Sequence, residues 1–242
     1  MATSVLTFDE DWAPDWAVEM CIEMCTDAGV PFTFFVTHQS PVLESLADRE
    51  DVELGVHPNF LPGSSHGGTV SDVLDTMLTL VPGAVSMRTH SLVQSSPLLA
   101  EVALAGQIRN DASLLLPFTP DLSVSSLCFD TASLTRLPYS WEDDEAMSRA
   151  DWCWNAEEWP GSTTGLLAYD FHPIHVALNS QSMDQYRALK RHLRGRPLTD
   201  CAEEEAMEFR SRGRGTATYL VDLLRNSKGT WLSVAQACSG EE

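Results

Sequence analysis

Two aspartates one residue apart, Asp9 and Asp11, close an apolar run from Ser4 to Phe8. In extended backbone they share a side while Glu10 points away. Paired carboxylates at one pole can divide the work of a hydrolase: one binds a cation, and the other, kept ionised by that charge, takes a proton from water. The competing reading is an acidic cluster ahead of Pro14, favoured by a helix dipole. Further on, His38, His57, Arg88 with His90, and His172 each stand just beyond another apolar run. Any one of these could be an ordinary strand-end polar residue. Their recurrence after successive runs points to a common pole.

The elements that must position them alternate. Ser4–Phe8 reads as a strand, Pro14–Ala28 as a helix stopped by Gly29, Phe32–Val36 as a strand, and Pro41–Ala47 as a helix. Val52–Val56 is a third strand, Val70–Leu80 a helix, Ala84–Met87 a strand, and Pro97–Ala105 a helix ending at Gly106. Such alternation implies a parallel sheet, whose C-terminal strand ends converge on one face. Leu114–Arg149 carries three prolines and has no assignable period. Leu166–Phe171 reads as a late buried strand and Met183–Arg194 as a basic amphipathic helix. Gly195–Gly215 reads as a surface loop or a short capped helix, and Thr216–Arg225 and Trp231–Ala237 as elements that could close the sheet. With no internal repeat and no long linker, residues 1–242 are expected to form a single catalytic domain.

Composition narrows the partners. Thirty-five acidic against fifteen basic side chains give a formal charge of -20, which repels nucleic acid and anionic membranes and attracts divalent cations. No run reaches the roughly 18 apolar residues that span a bilayer. Met1–Val5 carries no basic or apolar leader, so the chain reads as soluble and cytoplasmic. Six cysteines without CxxC spacing fit reduced thiols, and Cys21 and Cys25 fit one buried helix face.

Thr7–Asp11 (TFDED) resembles the first motif of the polysaccharide deacetylase-like (NodB-homology, carbohydrate esterase family 4) hydrolases. The resemblance implies that Asp9 is the base and Asp11 a metal ligand. The second family motif supplies two histidines four apart; here His57 is present and Leu61 stands at the second position. His66, on a Gly-bearing loop, is the expected substitute, with His90 in reserve. Met87–His90 is similar to the third motif, implying that Arg88 pairs with Asp9, and Asn110–Ser113 to the segment after the next strand. Tyr139–Asp144 resembles a diverged fourth motif with Trp141 as a cleft wall. Ala168–Pro173 is similar to the last motif, implying His172 as the acid, with His175 as a competitor. Trp12, beside the first motif, is a second candidate for sugar stacking. The departures resemble a WbmS-like branch associated with bacterial surface polysaccharides.

The resemblance, covering roughly residues 3 to 180, implies an α/β fold, a distorted (β/α)7-type barrel with a mostly parallel sheet. It also implies hydrolysis of an N-acyl (acetyl or formyl) group from an amino sugar of a carbohydrate substrate. One divalent metal is expected on Asp11, His57 and His66. Zinc suits the mixed oxygen and nitrogen ligands best, and cobalt, nickel or iron would also satisfy them. Arg88 would aim Asp9, and His172 would protonate the leaving amine, oriented by a carboxylate such as Asp170. The rival expectations are a catalytically silent carbohydrate-binding homologue, motivated by Leu61, and a metal hydrolase of another amide or ester. Sugar identity and oligomeric state are not encoded in any motif.

Overall fold

The computed structural model describes residues 3–157, 159, 164–226 and 229–240; Met1 and Ala2, at the head of the sequence, lie outside them. The strands are β1 (Thr3–Asp9), β2 (Phe32–Val36), β3 (Val52–Val56), β4 (Ser86–Met87), β5 (Asn110–Leu115), β6 (Ser125–Cys128), β7 (Ser133–Tyr139), β8 (Trp141–Glu142), β9 (Leu166–Phe171) and β10 (Thr230–Leu232). They form one sheet in the order β6-β7-β5-β4-β3-β2-β1-β9-β8, with β10 beside β1. Every pairing is parallel except the β6–β7 hairpin. The chain is thus a mostly parallel α/β sheet. A single run, Ser133–Glu142, pairs with β5 through β7 and, one residue later, with β9 through β8.

Local chemistry explains the regular parts. The helix Asp15–Ala28 is preceded by Pro14 and stopped at Gly29, whose φ of 64° is a left-handed conformation that costs glycine nothing. Thr69 and Asp72 form a reciprocal capping box on Val70–Leu80. Strand alternation then sorts the side chains. Leu6 and Phe8 of β1, Phe34 of β2 and Phe171 of β9 join the core under the helices, whereas Val5, Phe35, Ala112, Leu137, Tyr139 and Ala168 form a second cluster on the opposite face. Thr7 and Asp9 follow Val5 in that alternation, and Asp170 and His172 follow Ala168. Both pairs therefore continue the second face toward the strands' C-terminal ends.

Two sequence expectations change here. Thr216–Asn226 adds no strand: it is a helix whose Tyr219 and Leu220 join the helix-side core. Among the described residues of the C-terminal segment, only Thr230–Leu232 pairs with the sheet, beside the first residues of β1. Trp141 is fully buried and stacks on Tyr219 with ring centroids 4.5 Å apart. It is not a cleft wall. The cause is the break at Ser140, where pairing passes from β5 to β9: alternation from Leu137 and Tyr139 does not carry across, and Trp141 falls on the helix side. No helix among the described residues is long and apolar enough to cross a membrane.

Candidate metal centre

At the end of β1 the chain turns sharply, with Asp11 and Trp12 both at positive φ, 45° and 54°. Left-handed conformations at non-glycine residues cost of order 1–3 kcal/mol and persist where the surroundings enforce them. Here Glu10 supplies the anchor. Fully buried, it accepts the Thr37 and His38 backbone N–H groups at 2.7 and 3.2 Å, and it lies 3.2 Å from His38 Nδ1. His38 thus fastens the loop and stays outside the centre. The turn carries the Asp11 carboxylate to within 3.1 Å of His57 Nε2 and 2.8 Å of His90 Nδ1. The two ring nitrogens are 3.3 Å apart.

His66 is not in this cluster. Its Nδ1 accepts the Asn59 N–H at 3.0 Å, its ring packs near Trp12 at 5.6 Å, and burial pushes its pKa below the ordinary value. The loop after β3 is held by its own bonds: Asn59 Oδ1 accepts from Leu61 N, and Ser64 Oγ accepts from the His66 backbone N–H, both at 3.0 Å. No helical turn forms to place position 61 on the same face as His57, and Leu61 is 40% exposed. His90 occupies the place expected of His66.

Three donors 2.8–3.3 Å apart pass a direct test for a metal. Ligands about 2.0–2.1 Å from one ion at tetrahedral angles stand roughly 3.3 Å from one another. Two imidazoles and one carboxylate are also a donor set with coordination positions left over. Burial alone would raise the Asp11 pKa, but its contacts to His57 and His90 hold it well below the ordinary value, so it is anionic.

Behind the centre lies a buried ionic knot. Arg88, with no exposed surface, donates from Nη1 to Asp9 Oδ1 at 2.9 Å, to Thr7 Oγ1 at 2.8 Å and to Asp170 Oδ1, and from Nε to the Ala112 carbonyl at 3.0 Å. Its guanidinium sits over the Phe35 and Tyr139 rings at 4.7 and 4.2 Å. Burial would depress its pKa, but Asp170 and Asp9 keep it above its ordinary value and cationic. Asp170 Oδ1 is taken by Arg88 and Thr7, and Asp170 is not the carboxylate that orients His172.

That role falls to Asp143. Its Oδ2 accepts the His172 backbone N–H at 2.9 Å and its Oδ1 lies 2.7 Å from His172 Nδ1. His172 Nε2 then faces the centre, 3.7 Å from Asp11 Oδ2. Burial would lower the His172 pKa, yet Asp143, Asp144 and Asp11 hold it well above the ordinary value. His175, by contrast, sets Nε2 3.0 Å from Asp144 and Nδ1 3.2 Å from Ser180 Oγ.

The sequence profile of the WbmS-like polysaccharide deacetylases matches residues 6–190. The chain belongs to this family. A polysaccharide deacetylase involved in O-antigen biosynthesis (WbmS) from Bordetella bronchiseptica is 34% identical, with a TM-score of 0.75 over 93% of this chain and 90% of that one. The fold also resembles a 4-alpha-glucanotransferase from Thermococcus litoralis, at 11% identity and a TM-score of 0.56 over 99% of this chain and 38% of that one. The Bc1960 peptidoglycan N-acetylglucosamine deacetylase matches at 10% identity and a TM-score of 0.50 over 98% of this chain and 88% of that one. No curated protein matches.

In this WbmS-like deacetylase the structure gathers Asp9, Asp11, His57, Arg88, His90 and His172 at one pole, and leaves His66 beside them and Trp141 in the core. Trp12 is partly exposed at the rim, its ring edge-on to His90 at 5.1 Å. Asp143 was hidden in the Glu142-Asp143-Asp144 run, which reads equally well as acids favoured at a helix start. The usable signal was the later buried strand ending in a histidine with no carboxylate of its own to spare.

Proposed function

We propose that the chain is a metal-dependent hydrolase that removes an N-acyl group, acetyl or formyl, from an amino sugar of a bacterial surface polysaccharide or its precursor. Convergence of Asp11, His57 and His90 within coordination distance of one point, beside Asp9 and His172, carries this reading. These three residues would hold the divalent ion, and zinc fits the donors best. Bound there, the ion supplies Lewis acidity toward the acyl carbonyl and toward water.

The protein's own groups supply the rest. Asp9 is the base, and Arg88 fixes one of its oxygens at 2.9 Å, so the carboxylate is aimed before substrate arrives. His172 enters protonated, because Asp143 and its neighbours favour the imidazolium, and Nε2 carries the proton that the departing amine needs. Asp143 holds Nδ1 and the backbone together, which fixes the ring plane. An amine is a poor leaving group unprotonated, so base and acid act in succession, the base on attack and the acid on departure. The O-antigen role of the Bordetella bronchiseptica protein supports a bacterial surface glycan as the source of substrate.

The test is metal content together with acid release. Protein purified without chelator should carry one divalent ion per chain, lose it on Asp11→Ala, and release acetate or formate from an N-acylated amino sugar glycan only when loaded. Retention of full metal by Asp11→Ala together with His90→Ala would sink this assignment.

A further inference from the structure

His90 is held from two sides, by the loop that follows β3 and by Trp12 in the turn after β1. Its backbone N–H donates to the Pro58 carbonyl at 2.9 Å. The next residue, Asn59, donates its N–H to His66 Nδ1 at 3.0 Å. The His66 ring lies 5.6 Å from the Trp12 ring, and the Trp12 ring meets His90 edge-on at 5.1 Å. The four contacts form a closed circuit around one metal ligand. Trp12 is itself fixed, with φ of 54° and its N–H on Thr37 Oγ1 at 3.1 Å.

Resting on the metal centre argued above, we infer that His66 and Trp12 are positioning residues for the ligand His90, His66 acting through Trp12 and through the Pro58–Asn59 backbone. Histidine suits position 66 because it offers an acceptor nitrogen on a flat ring. Phenylalanine would keep the ring and lose the acceptor, and glutamine would keep an acceptor and lose the ring. Burial keeps His66 neutral, which leaves Nδ1 free to accept. Gly67 closes the loop just behind: its φ is +152°, and an added Cβ would stand 2.6 Å from Asp72 Cβ, so this close approach to the next helix requires glycine. Residues that orient a ligand without touching the ion are typically worth 10- to 100-fold in metal affinity.

The readout is the zinc dissociation constant, from competition with a chromogenic chelator, alongside the d–d absorption of the cobalt(II)-loaded protein. His66→Ala should weaken zinc binding by about 10- to 100-fold, with His66→Phe and His66→Gln each intermediate, and should change the cobalt band. Trp12→Ala should do the same and Trp12→Phe should largely recover it. Thermal unfolding of the metal-free variants reports folding separately; should either alanine variant fail to fold, the zinc affinities of His66→Phe and His66→Gln decide, and wild-type affinity in both overturns the inference. Unchanged zinc affinity in folded His66→Ala overturns the inference while leaving the centre intact. Abolition of binding to the level of Asp11→Ala makes His66 a ligand and overturns it too. If the wild-type chain binds no zinc or cobalt, the metal reading itself fails.

Discussion

Acids stand at both ends of this sheet, and Glu53 at one end is paired differently from Asp9, Asp11 and Asp143 at the other. At the end where strands begin, Glu53 accepts from Thr33 Oγ1 at 3.0 Å and from the Ala235 backbone N–H at 2.8 Å, at the start of the helix Val234–Ser239. Its partners are neutral donors of the fold, a structural use of a carboxylate at a helix N-terminus. At the end where strands finish, Asp9, Asp11 and Asp143 are matched to Arg88, His57, His90 and His172, groups that carry or can take up positive charge. His57 Nδ1 there lacks a hydrogen-bond partner, 3.7 Å from Asp9. A carboxylate paired with the fold's own amides serves stability; one paired with titratable side chains stores reactivity.

The largest effect should come from testing that division directly. Asp11→Ala should remove the bound metal and lower turnover by about 10³-fold or more, with little change in the unfolding midpoint of metal-free protein. Glu53→Gln should show the inverse pattern. It should keep metal and turnover and lose roughly 0.3–1 kcal/mol of stability, about 1–4 °C in Tm for a chain of this size. If Glu53→Gln cost as much turnover as Asp11→Ala, the two ends would not be functionally distinct.

Within the reactive end, Asp9→Asn should keep the metal and lose turnover by about 10²- to 10⁴-fold, the usual worth of a positioned base. Metal analysis of Asp9→Asn beside Asp11→Asn decides the matter: ion lost from the first and retained by the second would exchange the two roles. Next in size, His172→Ala should reduce N-acyl sugar turnover by about 10²-fold or more while sparing an activated aryl ester, whose leaving group departs as an anion. His175→Ala should leave that ratio unchanged, since its ring is engaged by Asp144 and Ser180. A selective loss in His175→Ala alone would move the acid to that residue.

The structured half of the chain was legible because its signals are local. Gly29 marks a left-handed stop, and the runs 32–36, 52–56 and 166–171 are strands over the full spans read from them. Residues 114–149 were not, because β6 and β7 form an antiparallel hairpin inside a parallel pattern, and Pro138 and the break at Ser140 interrupt the period. The same limit governs the centre. Motif order placed Asp9, Asp11, His57, Arg88 and His172 together. The choice of His90 over His66, and of Asp143 over Asp170, depends on which way a loop and a bent strand turn. Those are tertiary facts that residue spacing does not record.

The last predicted effect concerns a carboxyl at the reactive end that lacks a strong base. Glu142 Oε2 accepts from the Tyr139 hydroxyl at 2.9 Å, and burial pushes its pKa from 4.5 up to about 7. Between those values the folded chain holds a proton that the unfolded chain releases. Stability from this group is therefore complete below about pH 4.5 and is lost as pH rises through about 7. The full shift would be worth more, but Glu142 is partly exposed, and solvent screening reduces the loss to roughly 1–2 kcal/mol. Glutamine has nearly the same shape, can accept from Tyr139 and cannot ionise. Glu142→Gln in chelator-treated protein should therefore gain roughly 1–2 kcal/mol relative to wild type between pH 4.5 and pH 8, read from urea unfolding at each pH. Parallel stability curves for the two proteins across that range would show that the group is solvated like an ordinary surface acid, and that the reactive end holds its carboxylates without a desolvation cost at this position.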